Sequence, residues 1–514
     1  MEQSLSHKII RNTAYNIVGR FWGILVVLFL TPYIIRHIGI ERFGLWSIAG
    51  VITGYFGLLD FGVGMSFVKY IAEFYTKKQF DKISQIVSTG FVFYSLLTVL
   101  IIGFSVFFIK PIIVIFKIPP YLANEAVFVL LVGISVFTCA NAFSPFGAIQ
   151  TGLQRMDIQN KIGIITSILN ILGTVFFLEK GYGLPGLMVN NAIIFIISCI
   201  LNVAAAYKIF PEMKFNPYIF NKEMFNKLFK FGFKIQIAKI AGVIAGQTNK
   251  LLIAYFLSIS LVAFYHLGNS VVYYAISISA LFVSALMPAF SEMEAKGERQ
   301  KLTEAYLMTT RYLAIFVAPF FVFLIISAFN LMSAWMGQGY EKSALIIQIL
   351  ALSYALNTIA QVAVSICMAI GRPQVLAVSS VVIIALNLVL SIVFIKIFGF
   401  MGSALGNLFA INIGTLYFLA ALNNVLHIPH SKFIKITVPY FFIAVISSGV
   451  IVVLDLFMHP FSRALSRPMA LGVLFMRGFV FLSIYIIGIY LRKLIDADDI
   501  DFLRQKFSFL LRRK

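Results

Sequence analysis

Between Asn12 and Leu30 the sequence reads NTAYNIVGRFWGILVVLFL, an apolar run with one arginine inside it. Read as a helix, Asn12, Asn16, Gly19, Arg20 and Gly23 fall at i, i+4, i+7, i+8 and i+11, so they share a face. A second run, KIQIAKIAGVIAGQTNKLLIAYF (234–256), has the same character: Gln236, Lys239, Gly246, Gln247 and Lys250 recur largely on one side. Arginine offers a planar fork of donors and lysine a compact point charge, while the neighbouring amides both donate and accept. Lys239 and Lys250 are separated by about 16 Å of helical rise, so cations occur at more than one depth. Such stripes suit an anion that also carries hydroxyl groups. Headgroup contact by a long side chain is the plainer alternative for Lys250.

Asp60, in YFGLLDFGVGMSFVKY, is a carboxylate well inside an apolar run. A structural counter-ion for Arg20 and a site for a coupling cation fit it equally. Arg477 has no acidic neighbour in sequence; lipid headgroups, packing or substrate would each explain it. His427 and His430 are close in a loop but lack further ligands, so no metal or cofactor is expected. No nucleophile–base pair is visible, and no catalytic residue is assigned.

The elements carrying these residues are membrane helices. Hydrophobic residues make up 60% of the 514-residue chain and charged residues 12%, against about 25% in a soluble domain. Apolar runs of about 20 residues cross a hydrocarbon core as helices, and no barrel-like alternation occurs. The fold class is therefore all-α and polytopic. Fourteen spans are expected, near 12–34, 43–68, 85–109, 122–147, 162–178, 184–206, 235–257, 260–290, 312–330, 343–369, 375–395, 401–423, 436–454 and 470–491.

The net charge of +21 invites a nucleic-acid reading, but its placement excludes that. Most lysines and arginines lie at the N-terminus, in even-numbered loops and in the tail, which the positive-inside rule places in the cytoplasm along with both termini. The three cysteines lie in apolar runs and read as reduced core residues. Residues 1–206 form an expected N-lobe and 207–234 an amphipathic cytoplasmic linker lying on the membrane surface. Residues 235–423 form a C-lobe, 424–491 two further spans, and 492–514 a cytoplasmic tail.

The halves repeat. An offset of 219 residues lays Ile40 on Ile259, Gly44 on Ala263, Trp46 on Tyr265 and Glu73 on Glu292. Offsets of 217 and 216 then lay Arg155 on Arg372, Asn170 on Asn387, and Gly186 on Gly402. Six spans precede the second copy, so the copies share an orientation and imply a pseudo-two-fold axis along the membrane normal. Arg20 then corresponds to Lys239. Asn141, Asn170, Asn191, Asn357, Gln361, Asn387 and Asn412 read as partners between helices.

TPYIIRHIGIERFGLWSIAG (31–50), LLDFGVGMSFVKYIAEF (58–74) and IQTGLQRMDIQNKIGIITSILNILGTVFFL (149–178) carry a resemblance to the Wzx-like polysaccharide flippases. These belong to the multidrug/oligosaccharidyl-lipid/polysaccharide exporter superfamily. The resemblance covers essentially the whole chain. It implies two six-helix lobes in a V around a central cavity, opening alternately to the two sides of a bacterial inner membrane. The implied cargo is an undecaprenyl-pyrophosphate-linked oligosaccharide for O-antigen, capsule or exopolysaccharide, with a polymerase and glycosyltransferases as partners. Arg20, Lys239 and Lys250 would hold the pyrophosphate; Asn12, Asn16, Gln236 and Gln247 would meet the sugar. The tail would stay among membrane lipids. Two extra C-terminal helices resemble those of the lipid II flippase branch, where they form a groove for the lipid tail. That branch and a cation-coupled multidrug exporter are the alternatives, and the shortage of buried acids in the second half disfavours the exporter. A polymerase or ligase enzyme is disfavoured by short external loops. The drive is open: proton, sodium at Asp60, membrane potential, or none.

Overall fold

A computed structural model describes residues 5–284, 286–462, 467–492 and 494; side chains are described there except at 5–17, 234–235, 237–239, 241, 281–282, 284, 288, 454–462 and 468. The described residues are helical nearly throughout, which is the all-α fold expected. By contacts the chain forms two compact units, 1–266 and 267–514.

In the first unit, α1 (Leu5–Phe56) is two helices run together across Gly39, whose φ of 79° only glycine adopts cheaply. A 3-10 turn over Gly57–Asp60 leads into α2 (Val63–Thr76), followed by α3 (Phe80–Ile115), α4 (Ala123–Gly152), α5 (Met156–Glu179), α6 (Gly183–Ile209) and α7 (Lys222–Phe256). Helix α8 (Ile259–Ser284) starts in this unit and continues into the next. The second unit continues with α9 (Leu286–Ala295), α10 (Arg299–Trp335), α11 (Glu341–Ile359), α12 (Gln361–Ala369), α13 (Pro373–Phe398) and α14 (Phe400–Val425). Helices α15 (His430–Ser462) and α16 (Arg467–Leu491) are the two further spans, both packed on α10.

Among the described residues, twelve helical segments are long and apolar enough to cross a membrane, against fourteen expected. The first two expected spans are joined through Gly39 and count once. The seventh, α7, is not among the twelve. Breaks at Gly57–Gly62 and at Ala360 divide the second and the tenth expected spans into shorter helices.

The duplication is visible in the helix boundaries. At the 219-residue offset, α3 and α10 begin at equivalent residues, Phe80 and Arg299. Bonds recur as well. Asn190 donates to Asn170 Oδ1 at 2.9 Å between α6 and α5, and Asn387 donates to Asn407 Oδ1 at 3.0 Å between α13 and α14. The ion pair of Lys77 with Glu73 (2.7 Å) recurs as Lys296 with Glu292 (2.5 Å). Asn357 also bridges helices, to Thr415 at 3.0 Å, as expected of a polar group with no water to bind.

Residues 207–234 pack partly into the first unit, with Tyr218, Ile219, Phe220 and Phe233 left exposed. Phe210, Met213, Met224 and Leu228 join the buried core formed by α2, α3 and α4. Backbone N–H groups of Lys214, Asn216 and Asn221 donate to Ser84, Ser88 and Thr89 of α3 at 3.0–3.1 Å. Asn221 accepts from Met224 N at 2.8 Å and so caps α7. Helix α7 thus begins about three turns earlier than the apolar run. The tail from 495 onward lies outside the described residues.

Candidate functional site

Two polar clusters in the first unit gather the expected residues. The first sits where α1 turns back into α2. Asp60 closes the 3-10 turn and is 9% exposed. Its Oδ1 accepts from the Tyr94 hydroxyl of α3 and, at 3.1 Å, from Gly64 N of α2. The turn is held against α7 by a close backbone approach: a side-chain carbon on Gly62 would lie 2.1 Å from Gly232 O. Four residues further along α7, the buried amide of Gln236 donates to Leu58 O. Gln236 therefore ties α7 to the turn through its Nε2, while its Oε1 is buried with no hydrogen-bond partner among the described residues. Tyr94 could not be found from spacing, since it lies 34 residues from Asp60 on another helix.

The second cluster lies near the other end of α7. Lys250 is 6% exposed, and its Nζ donates to Gln247 Oε1 at 3.2 Å, a pairing that their i, i+3 spacing permits. Next to it, Asn249 donates to the Tyr265 hydroxyl of α8 at 3.2 Å. His266, also on α8, is within electrostatic reach of Lys250 and packs edge-on against Phe43 of α1, with ring centroids 5.7 Å apart. Among the described residues no carboxylate pairs with Lys250. Its burial excludes the headgroup-snorkelling alternative in this conformation. Burying a cation without a counter-charge is costly, and one neutral amide oxygen offsets only part of that cost. An anion arriving beside Lys250 would recover the remainder.

The stripe on α1 is partly redistributed. Gly19 faces α5, where an added Cβ would stand 2.5 Å from Asn160 Oδ1, and Trp22 Nε1 donates to Ser167 Oγ of α5 at 3.0 Å. That edge is helix packing. Arg20, one residue round the helix, is exposed, and Gly23 has no atom within 4 Å of where a Cβ would be. Asn12 and Asn16 lie in α1 and Lys239 lies in α7, but their side chains are outside the described ones.

A family model described as "Polysaccharide biosynthesis protein" matches residues 9–294. A membrane protein of Methanocaldococcus jannaschii, its name assigning no function, is 22% identical over 460 residues, 86% of each chain. A Shigella flexneri protein whose name provisionally makes it an O-antigen transporter is 21% identical over 405 residues, 77% of this chain and 93% of that one. In structure, the lipid II flippase MurJ in an inward closed conformation aligns with a TM-score of 0.72 at 17% identity, over 94% of this chain and 99% of that one. At that identity the likeness concerns the fold.

Proposed function

Because the chain belongs to the polysaccharide biosynthesis protein family, we propose that it moves a lipid-linked anionic oligosaccharide, of the undecaprenyl-diphosphate type, between membrane leaflets. The family is one of membrane transporters, and the chain is not an enzyme. The observation that carries the substrate reading is Lys250: a cation buried within α7, beside an amide and, among the described residues, without an acid. A diphosphate supplies the missing charge, and hydrogen bonds with an ionised partner are the strong kind. Exposed Arg20 on α1 is a second contact for the same anion, and Lys239 a third. Gln247, already fixed by Lys250, presents its amide N–H₂ to the sugar or the phosphate.

The lysine-rich end of the first unit, with Lys77, Lys78 and Lys82, faces the cytoplasm on the positive-inside rule, and both termini lie on that side. Loading occurs there, and alternating access delivers the glycan to the outer leaflet while the lipid tail stays in hydrocarbon. The Asp60–Tyr94 pair is the candidate coupling element, because protonation or cation binding at Asp60 would loosen the turn against which α7 is docked.

Export of the glycan in cells tests the reading. Arg20→Ala, Lys239→Ala and Lys250→Ala, each present at the native level in the membrane, are expected to lose it. Full export by the triple variant would sink the cationic site.

A further inference from the structure

We propose that the interior of the first helix bundle is a pocket for the uncharged saccharide of the substrate, with Thr53, Asn191, Ser198 and Asn202 as its hydrogen-bonding residues. This deepens the function proposed above and rests on it. Two adjoining cavities of about 360 and 450 Å³ run between α1, α2, α4, α5 and α6 and share Ala140, Phe195 and Ser198 in their walls. Either volume is within the range of about 300–1,000 Å³ typical of small-molecule sites. Their lining is uncharged and more apolar than polar: hydroxyls and amides stand among the rings of Trp46, Phe137 and Phe143, with no lysine, arginine, aspartate or glutamate.

The polar groups are placed to be used. Thr53 Oγ1 donates to Ala49 O at 3.0 Å, so its proton is spent on its own helix and its lone pairs remain for an incoming hydroxyl. Asn202 is fixed by Gln150 Nε2 at 2.9 Å and by Ser198 O at 2.8 Å. The adjacent residues Asn190 and Asn191 divide their work. Asn190 is buried and bonded to Asn170, whereas Asn191 opens onto the cavity and has no hydrogen-bond partner among the described residues. Gly50 lines the space, and nothing lies within 4 Å of where its Cβ would be.

This lining discriminates between the parts of the substrate. A diphosphate would find no counter-charge here, and a polyprenyl tail would strand the amides without partners, at a cost of kilocalories for each. A sugar satisfies both features, with its hydroxyls on the amides and threonines and its apolar face on an aromatic ring. A succession of three rings links the pocket wall to the neighbourhood of the cation. Trp46 packs edge-on to Phe43 at 5.9 Å, and Phe43 packs on His266 beside Lys250. In the proposed arrangement phosphate lies at Lys250 and the saccharide beyond these rings, inside the bundle.

Binding to the purified full-length chain tests this with two probes: undecaprenyl diphosphate, and the same lipid bearing a neutral disaccharide. The native chain is expected to prefer the disaccharide form. Gly50→Leu, which fills open space without a clash, and Asn191→Leu should each weaken that form about tenfold while leaving the bare lipid within about twofold. Equal affinities for the two probes in the native chain, or both variants binding both probes as the native chain does, would overturn the pocket and leave the flippase reading standing. Bare-lipid binding that is absent, or indifferent to Arg20 and Lys250, would remove that reading and the pocket with it.

Discussion

The two copies of the repeat agree where they hold helices together and in a surface ion pair, and differ at Lys250, Asp60 and Tyr94. The α5–α6 hairpin is tied by Asn190 and Asn170, and the α13–α14 hairpin by Asn407 and Asn387 at equivalent positions. Yet the position equivalent to Lys250 in the first copy is Thr31, and those equivalent to Asp60 and Tyr94 in the second are Ser279 and Leu313. The scaffold is shared; the buried ionisable groups are not. A charge in a membrane helix is too costly to persist as a relic of duplication, so groups present in one copy alone are those expected to act.

The comparison sets out a graded series of effects. The largest is at Lys250: Lys250→Met should reduce glycan export at least about tenfold, since it removes a charge-assisted contact worth more than about 1.4 kcal/mol. Thr31→Val, at the equivalent position, should leave export near the native rate. Next comes Tyr94→Phe, which takes one donor from a buried carboxylate and should destabilise the first unit by about 1–3 kcal/mol, read as a lowered melting temperature in detergent. Ser279→Ala, whose hydroxyl bonds only within its own helix, to Ala275 O at 3.3 Å, should be nearly silent in the same melt.

The shared ties give smaller and matched effects. Asn190→Leu and Asn387→Leu should each cost about 0.6–1.7 kcal/mol, with Asn190 the costlier because it also donates to Thr174 at 3.2 Å. A large disparity in the opposite sense would break the equivalence of the two hairpins. Smallest are the surface pairs. Hydrogen bonds from Lys77 and Lys296 hold the Glu73 and Glu292 carboxyls below their ordinary range. Their small contribution is present above the ordinary carboxylate pKa and is lost as pH falls through the depressed values. Glu73→Gln and Glu292→Gln should remove that acid-side dependence equally, with melting at neutral pH unchanged within error.

The helical scaffold was legible because apolar runs, glycine turns and the offset of the halves are all local or periodic signals. The shared face of Gln247 and Lys250 was legible for the same reason, their spacing being about one helical turn, although their hydrogen bond was not anticipated. What escaped was what only packing decides. The Phe and Met residues of 207–234 alternate with lysines as a membrane-surface segment does. Phe210, Met213 and Met224 are buried in the core, where serine and threonine hydroxyls on α3, more than a hundred residues earlier, hold the neighbouring backbone. Gly19 shares a helical face with Arg20 but belongs to the contact with α5, because a face about 100° wide borders two neighbours at once. Tyr94 and His266 gave no signal, as each meets its partner through the fold alone.

The central claim is that the buried cation of the first unit holds the diphosphate of a lipid-linked glycan. Its most direct measurement is the affinity of undecaprenyl diphosphate for the purified native chain and for Lys250→Met, with Thr31→Val as the matched control. The account predicts at least about a tenfold loss for Lys250→Met and none for the control. Equal binding by all three proteins would contradict it.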